Sequence, residues 1–319
     1  MPQIRLFLTL LFAAFLPIAA QTRADALRKM EQAMGPFPQL DRKSSLAIQT
    51  LSTEDAGTYR KSKLTYEPEP GRKVYAWLLI PKNGGRRPAA LCLHQTTRLG
   101  KDEPAGEGPK DNLHYARELA ERGWVVLAPD YPSFGDDKTD FDKEVYGRGY
   151  QSGTMYGIVN HTRGIDLLVR HPRVDRRRIS VIGHSLGGHN ALFVAAFDDR
   201  IRAVVTSCGF TAFAKYYGGN LKGWTSPRYM PRIAAVYGNS PTKVPFDFTD
   251  VFTAIAPRAV FVNAPIRDSN FEVTGVDDVT NAVRGLFPAG RLIVEHPDAE
   301  HDFPPLIRRQ AYEFLNFVN

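Results

Sequence analysis

Apolar residues recur along most of the chain in two alternating patterns. Short runs of apolar residues are typical of buried strands, whereas apolar residues spaced three and four apart are typical of helices packed on a core. The runs predict strands at residues 63–67, 74–80, 89–93, 124–128, 179–182, 203–206, 259–263 and 292–295. The wider spacing predicts helices near residues 112–122, 155–169, 191–196, 276–286 and 306–318. This order predicts an α/β fold whose open, mainly parallel sheet carries helices on both faces.

One segment, residues 209–256, interrupts the alternation with many aromatic side chains and several prolines. It is too long for an ordinary connection between a strand and a helix. We therefore expect an insertion over the carboxyl ends of the strands, where open parallel sheets bind ligands. No linker or internal repeat indicates a second domain, so residues 21–319 are predicted to form a single domain.

The N-terminus predicts export. Arg5 precedes an apolar stretch at residues 6–20, which is short for a membrane span and typical of a secretory signal peptide. We expect residues 1–20 to be removed by cleavage after Ala20, with Ala24 as the alternative site, and a secreted or periplasmic protein without membrane association. A retained membrane anchor is the competing interpretation.

Composition narrows the possible partners. The 319 residues carry a formal charge of +7, but the basic residues are dispersed rather than gathered into a run with aromatic residues, which argues against a nucleic-acid partner. Cys92 lies in the predicted strand at residues 89–93, and Cys208 follows the predicted strand at residues 203–206. These two strands are expected to flank the strand at residues 179–182 on either side. Two strand spacings amount to about 9.5 Å, beyond the limit of about 7 Å for a disulfide. Two free, buried thiols are expected.

The sequence Gly-His-Ser-Leu-Gly at residues 183–187 connects a predicted strand to a predicted helix. In that context the pattern is typical of a nucleophile elbow, a sharp turn that exposes the central serine. The glycines suit the turn because Ser185 must adopt a strained conformation and side chains two residues away would collide. Ser185 is therefore the predicted nucleophile.

A serine hydroxyl requires a nearby base at neutral pH. Beyond the helix that follows the elbow, the chain has two histidines, His296 and His301. His301 lies in the loop between the last strand and the last helix, from which an imidazole can reach Ser185. His296 adjoins the strand itself and is expected to be a packed or rim residue, so His301 is the predicted base.

The acid that orients the base should follow an intervening strand. Asp268 is the first carboxylate after the strand at residues 259–263, whereas Glu272, Asp277 and Asp278 are rivals. The last two are expected to begin the next helix as ordinary N-terminal acids. Asp268 is the predicted third member of a Ser-His-Asp triad.

The tetrahedral intermediate needs two N–H donors for its oxyanion. The backbone amide of Leu186, first in the elbow helix, is one predicted donor. Thr96, in the loop after the strand at residues 89–93, is the other, with Gln95 as the alternative. In the aromatic insertion, Trp224 and Tyr229 are the predicted substrate contacts, although these rings could equally form the insertion's own core.

These motifs together resemble the α/β-hydrolase superfamily, and within it the dienelactone-hydrolase-like, acetyl-xylan-esterase-like and prolyl-oligopeptidase-like group. The resemblance covers the chain from about residue 74 onward. It implies an eight-stranded sheet and assigns the triad and oxyanion roles to the same residues. The insertion at residues 209–256 is expected after the sixth strand. Dienelactone hydrolases have a cysteine at the position of Ser185, which argues against that activity, and Gln95 replaces a common glycine.

We therefore expect a serine hydrolase that cleaves a small-molecule or carbohydrate-linked carboxylic ester through an acyl-enzyme. A serine peptidase is the alternative on the same scaffold, but no gating domain precedes the catalytic region. An inactive hydrolase fold used for binding is the alternative from another class. No cofactor and no metal is predicted, because His184 and His189 flank the elbow without a further set of ligands.

Overall fold

A computed structural model describes the backbone of residues 16–318 and the side chains of residues 23–318. The first fifteen residues of the predicted signal peptide lie outside the described residues. The predicted cleavage point after Ala20 falls within the first described helix, α1 (Leu16–Met34), and stays a prediction. No helix in the described part of the chain is long and apolar enough to span a membrane.

The described strands form one sheet, with the order β1-β2-β3-β5-β4-β6-β7-β8-β9. The strands from β4 onward are parallel to one another, whereas β1, β2 and β3 form an antiparallel edge that joins β5 through β3. Their bounds are β1 Gln49–Asp55, β2 Tyr59–Tyr66, β3 Val74–Pro81, β4 Arg87–Leu93, β5 Val125–Pro129, β6 Val174–His184, β7 Ala203–Ser207, β8 Ala259–Asn263 and β9 Leu292–Glu295. The predicted open, mainly parallel sheet is thus confirmed.

The expected count of eight strands is wrong, because the described residues form a nine-stranded sheet. The additional strand is β1, which pairs only with β2 at the edge. All of its residues are exposed, so its sequence shows no alternation of apolar and polar positions. Only its hydrogen bonds to β2 reveal it as a strand.

Helices cover both faces of the sheet. Besides α1, they are α2 Tyr115–Glu121, α3 Gly153–Arg170, α4 Leu186–Phe197, α5 Arg232–Ala235, α6 Phe248–Ile255, α7 Val273–Val283 and α8 Pro305–Val318. One face packs against α2 and α8, and the other against α1, α3, α4, α6 and α7. The two faces therefore carry separate hydrophobic cores.

The aromatic segment at residues 209–256 connects β7 to β8, so it follows the seventh strand of the sheet rather than the sixth. Most of its rings are buried in the core beside α4 rather than exposed to a ligand. The buried aromatic residues are Phe210, Phe213, Trp224, Phe246, Phe248 and Phe252. Its last part is α6, which packs against α4 as a regular connecting helix.

Cys92 and Cys208 are both free and buried, as predicted. Cys92 lies on β4, and Cys208 directly follows β7. Strand β6, which leads to Ser185, lies between β4 and β7 and keeps the two thiols apart.

Candidate active site

Ser185 occupies a sharp turn between β6 and α4. Its backbone has φ 54° and ψ −119°, a conformation that is unfavourable for a residue with a side chain. A Cβ atom on Gly187 would collide with the carbonyl group of Leu93, and one on Gly183 would collide with the backbone of Gly187. The Ser185 N–H donates to the carbonyl oxygen of Ser207 on β7, at 2.8 Å. The turn therefore has the geometry of a nucleophile elbow.

Asp268 and His301 meet at the carboxyl ends of β8 and β9. His301 Nδ1 lies 2.9 Å from both carboxylate oxygens of Asp268. The rival acids make other contacts: Asp277 lies 3.0 Å from His296 Nε2, and Glu272 is 3.9 Å from Lys215. Among the four carboxylates considered from the sequence, Asp268 is thus the one that contacts His301.

The surroundings of Asp268 keep its carboxylate ionised. Burial alone raises the pKa of this group, but the hydrogen bond and charge of His301 lower it. The backbone N–H groups of Asn270 and Phe271, at 2.8 and 3.2 Å, lower the pKa further, so that it lies below its ordinary value. An ionised Asp268 holds the proton of His301 on Nδ1 and leaves Nε2 as the proton acceptor.

Ser185 and His301 line one pocket of about 350 Å³. No hydrogen bond joins the two side chains in residues 23–318; such contacts commonly tighten only when substrate binds. The same pocket is lined by the other residues that the sequence analysis singled out for contact with the oxyanion or the substrate, namely Leu186, Thr96, Gln95, Trp224 and Tyr229.

The loop after β4 is held in place by His94. Its Nδ1 donates to the carbonyl oxygen of Gln95 at 2.6 Å, and its Nε2 accepts a hydrogen bond from the N–H of Tyr131 at 2.8 Å. Burial lowers the pKa of His94 to about 4, so the imidazole is neutral. A neutral ring with its proton on Nδ1 makes both of these hydrogen bonds. In a trans peptide the N–H is opposite the C=O. The Thr96 N–H is therefore directed away from His94.

Trp224 and Tyr229 contribute differently to the pocket. Trp224 is 6% exposed and packs against His189, Phe213 and Tyr216, so it belongs mainly to the core of the insertion. Tyr229 is half-buried, and its hydroxyl lies 3.4 Å from Thr96 Oγ1. Tyr229 is the more accessible of the two predicted contacts.

A buried polar network behind the pocket was not predicted from the sequence. Asn263 Nδ2 donates to Ser207 Oγ at 2.8 Å and to the carbonyl oxygen of Asp302 at 2.9 Å. Ser207 Oγ in turn lies 2.9 Å from Nδ1 of His184, whose ring centroid is 4.9 Å from that of His301. Burial, and then the nearby His301, keep the pKa of His184 far below its ordinary value. The network joins three strand ends that are distant in the sequence.

The pocket has further lining residues that the sequence analysis missed. Asn270 and Phe271 come two and three residues after Asp268, and their backbone bonds to its carboxylate form a local turn that an aspartate at this position favours. Lys110 belongs to a loop without periodicity, which offered no signal for its position in the pocket.

In the described part of the chain, one set of donor atoms lies close enough to hold a metal ion. Cys208, Asp268 and His301 each offer an atom within 4.8 Å of the others. His301 and Asp268 are already hydrogen-bonded through these atoms, and burial raises the pKa of the Cys208 thiol. A metal at this place would have to displace the proton between His301 and Asp268 and the proton of the Cys208 thiol.

Comparisons with known proteins show the family to which the chain belongs. The model of the alpha/beta hydrolase family matches residues 109–315, and the chain belongs to that family. Over 306 residues it is 26% identical to YtaP of Bacillus subtilis (strain 168), a protein named only as a hydrolase; the match covers 92% of this chain and 98% of YtaP.

Two solved structures show the same fold. Acetyl xylan esterase 1 from Thermoanaerobacterium sp. JW/SL YS485 is 16% identical, with a TM-score of 0.64 and coverage of 94% of this chain and 93% of that one. A glucuronoyl esterase from Teredinibacter turnerae T7901 is 18% identical, with a TM-score of 0.69 and coverage of 92% and 83%.

Proposed function

We infer that the protein is a serine hydrolase that cleaves carboxylic esters through an acyl-enzyme. The observation that carries this proposal is the convergence of the strained Ser185 turn and the His301–Asp268 pair on one pocket at the carboxyl end of the sheet. Within the alpha/beta hydrolase family, such a convergence is suited to nucleophilic catalysis by serine.

In the first half of the reaction, Ser185 Oγ attacks the ester carbonyl while His301 Nε2 takes the hydroxyl proton. Asp268 stabilises the imidazolium that forms. The oxyanion accepts hydrogen bonds from the backbone N–H groups of Leu186 and Thr96, neither of which donates to another group within residues 16–318. His301 then gives its proton to the alcohol oxygen as the C–O bond breaks. The alcohol leaves and the acyl group remains on Ser185.

In the second half, water attacks the acyl-enzyme and His301 takes a proton from it. The second tetrahedral intermediate collapses, and His301 returns the proton to Ser185 Oγ as the carboxylic acid is released. Each proton that His301 takes is returned, so the enzyme regains its starting state without a cofactor.

The finer part of the proposal is a carbohydrate-linked substrate. The structural relatives are named as acetyl xylan and glucuronoyl esterases. The pocket is also lined by the rings of Tyr229, Phe271 and Trp224, and aromatic rings of this kind suit apolar parts of a substrate.

The proposal is tested by assaying the purified protein on p-nitrophenyl acetate and butyrate and on acetyl, feruloyl and glucuronoyl sugar esters. Hydrolysis that persists in EDTA and without dithiothreitol supports a serine mechanism. Loss of activity in EDTA would indicate a metal hydrolase, and dependence on dithiothreitol would indicate that Cys92 or Cys208 takes part.

We also retain export as part of the proposal, with cleavage after Ala20 or Ala24. The test is N-terminal sequencing of the protein recovered from the medium or periplasm of the expressing cell. Recovery of full-length protein in the membrane fraction would support the retained anchor instead.

A further inference from the structure

A second cavity adjoins the active-site pocket at His301. This polar groove has a volume of about 530 Å³, and it shares Lys110 and His301 with the active-site pocket. Its remaining lining consists of residues from the ends of two loops: Asp111, Asn112, Leu113, Ala299, Glu300 and Asp302. The groove therefore begins at the imidazole that transfers protons in the proposed mechanism.

The two cavities differ in chemistry. The active-site pocket includes the rings of Tyr216, Trp224, Tyr229 and Phe271 among its lining, whereas no such ring lines the polar groove. Most of the groove's side chains are instead charged groups or amides. Groups of this kind hydrogen-bond to hydroxyls as donors and acceptors.

Some side chains of the groove are fixed by hydrogen bonds, whereas others are exposed and can bind a ligand. Asn112 Nδ2 donates to Asp302 Oδ2 at 2.7 Å, and Asn112 Oδ1 accepts from Arg308 at 3.1 Å, so the floor is braced. The side chains of Lys110 and Glu300 are exposed and form no ion pair within residues 23–318. A cation and a carboxylate, on separate loops, are thus available in a groove whose Asn112 is fixed by hydrogen bonds.

The direction of the reaction assigns the groove to one half of the ester. His301 must protonate the departing alcohol oxygen, so that oxygen lies next to Nε2 when the C–O bond breaks. We propose that the polar groove binds the alcohol half of the substrate and that this alcohol is rich in hydroxyl groups, as a sugar is. The acyl half then occupies the aromatic pocket. This inference rests on the proposed esterase function and adds the orientation of the substrate.

The assignment has a kinetic consequence. The alcohol leaves during acylation, so contacts in the groove affect kcat/KM for esters of a hydroxyl-rich alcohol. The same acyl-enzyme forms from every ester of one acid, and its hydrolysis does not involve the groove. Contacts in the aromatic pocket, by contrast, affect discrimination between acyl groups.

The experiment compares two esters that share an acyl group, 6-O-acetylglucose and ethyl acetate, by their ratio of kcat/KM. Glu300→Ala and Asp111→Ala, on separate loops, are each expected to lower this ratio by about fivefold, because each removes a hydrogen bond between a charged group and a hydroxyl. The matched control is Asp175→Ala, an acid at the start of β6 that lines neither cavity. It should leave the ratio within twofold of the wild-type value.

A reciprocal arm uses Tyr229→Ala, which should change the acetate-to-butyrate ratio on p-nitrophenyl esters while leaving the alcohol ratio unaltered. An unchanged alcohol ratio in both groove variants would overturn the assignment while leaving the esterase function intact. A shift of the acetate-to-butyrate ratio in those variants would place the acyl group in the groove and overturn it too. If the wild type hydrolyses no ester in the panel, the proposed function fails and the assignment fails with it.

Discussion

The active-site pocket has two sides that are built in different ways. On the catalytic side, Ser185 comes directly after β6, whereas Asp268 and His301 lie in the loops that follow β8 and β9 of the same parallel sheet. Backbone hydrogen bonds hold the Ser185 turn and the Asp268 loop, and Asp268 in turn holds His301. On the opposite side, the wall comes from the loop after β4 and from the insertion after β7, and side-chain packing sets its shape. In the proposed mechanism the first side supplies the triad, whereas the second supplies the Thr96 oxyanion donor and the predicted substrate contacts Trp224 and Tyr229.

The wall formed by the loop after β4 and the insertion is held in place by side-chain contacts. Trp224 is in contact with His189, Phe213 and Phe248, and the loop after β4 is held by His94 between Gln95 and Tyr131. Because these contacts are made by side chains, a substitution in the insertion should alter stability and substrate preference before it alters the chemical step.

Removal of the nucleophile should produce the largest effect on the catalytic side. Ser185→Ala is expected to lower kcat for p-nitrophenyl acetate by about 10⁴- to 10⁶-fold while the protein stays folded. Ser240→Ala, in the insertion, is the matched control and should retain full activity. A Ser185→Ala protein with a tenth of wild-type activity would contradict the assignment.

Asp268→Asn should follow, with a loss of about 10²- to 10⁴-fold in kcat, because the amide no longer holds the proton of His301 on Nδ1 or stabilises the imidazolium. Asp277→Asn removes a carboxylate that contacts His296 rather than His301, and a loss of less than about threefold is expected. Equal losses in the two variants would show that the acid has been misidentified.

Substitution of Trp224 should affect stability more than kcat. Trp224→Ala is expected to reduce the free energy of unfolding by about 3 to 5 kcal/mol, because it leaves a cavity in an aromatic core. Urea unfolding measures the change. A Trp224→Ala protein of wild-type stability with a large loss of kcat would place this residue on the catalytic side instead.

Buried histidines should make the stability of the folded protein decrease at acidic pH. Burial lowers the pKa of His94 to about 4 and that of both His161 and His189 to about 3. Above pH 6.5 these groups are neutral in both states, and below it the unfolded chain binds protons that the folded chain does not. Stability should therefore fall as the pH drops from about 6.5 towards 4, by up to about 2 kcal/mol for each histidine at pH 5.

The urea midpoints at pH 7.5 and pH 5.0 measure this effect. Between these two pH values, the midpoint of His189→Leu should decrease less than that of the wild type. His296→Gln, at the exposed rim, is the control and should decrease as the wild type does. An equal decrease in His189→Leu and the wild type would mean that His189 does not remain neutral in the folded protein.

Tyr229→Phe should have the smallest effect, because it removes only a hydroxyl that lies 3.4 Å from Thr96 Oγ1. We expect a change of less than about fivefold in KM for p-nitrophenyl acetate, with kcat nearly unaltered. A loss of kcat by more than tenfold would indicate that this hydroxyl contacts the reacting atoms.

The same contrast explains what the sequence could predict. The order of strands and helices and the Gly-His-Ser-Leu-Gly turn are local patterns, and topology alone then brings the loops of Asp268 and His301 to one edge of the sheet. Strand β1 was missed because its residues are all exposed. The network of His184, Ser207 and Asn263 was missed because it depends on which strands are neighbours, and Lys110 because its loop has no periodic pattern.

The measurement that tests the central claim most directly is covalent labelling by a fluorophosphonate, followed by mass mapping of the labelled peptide. The account predicts one adduct, on Ser185, with labelling slowed at least a hundredfold in His301→Gln, because the serine then lacks its base. Ser240→Ala should label as the wild type does. The absence of an adduct, an adduct on another residue, or an undiminished rate in His301→Gln would contradict the account.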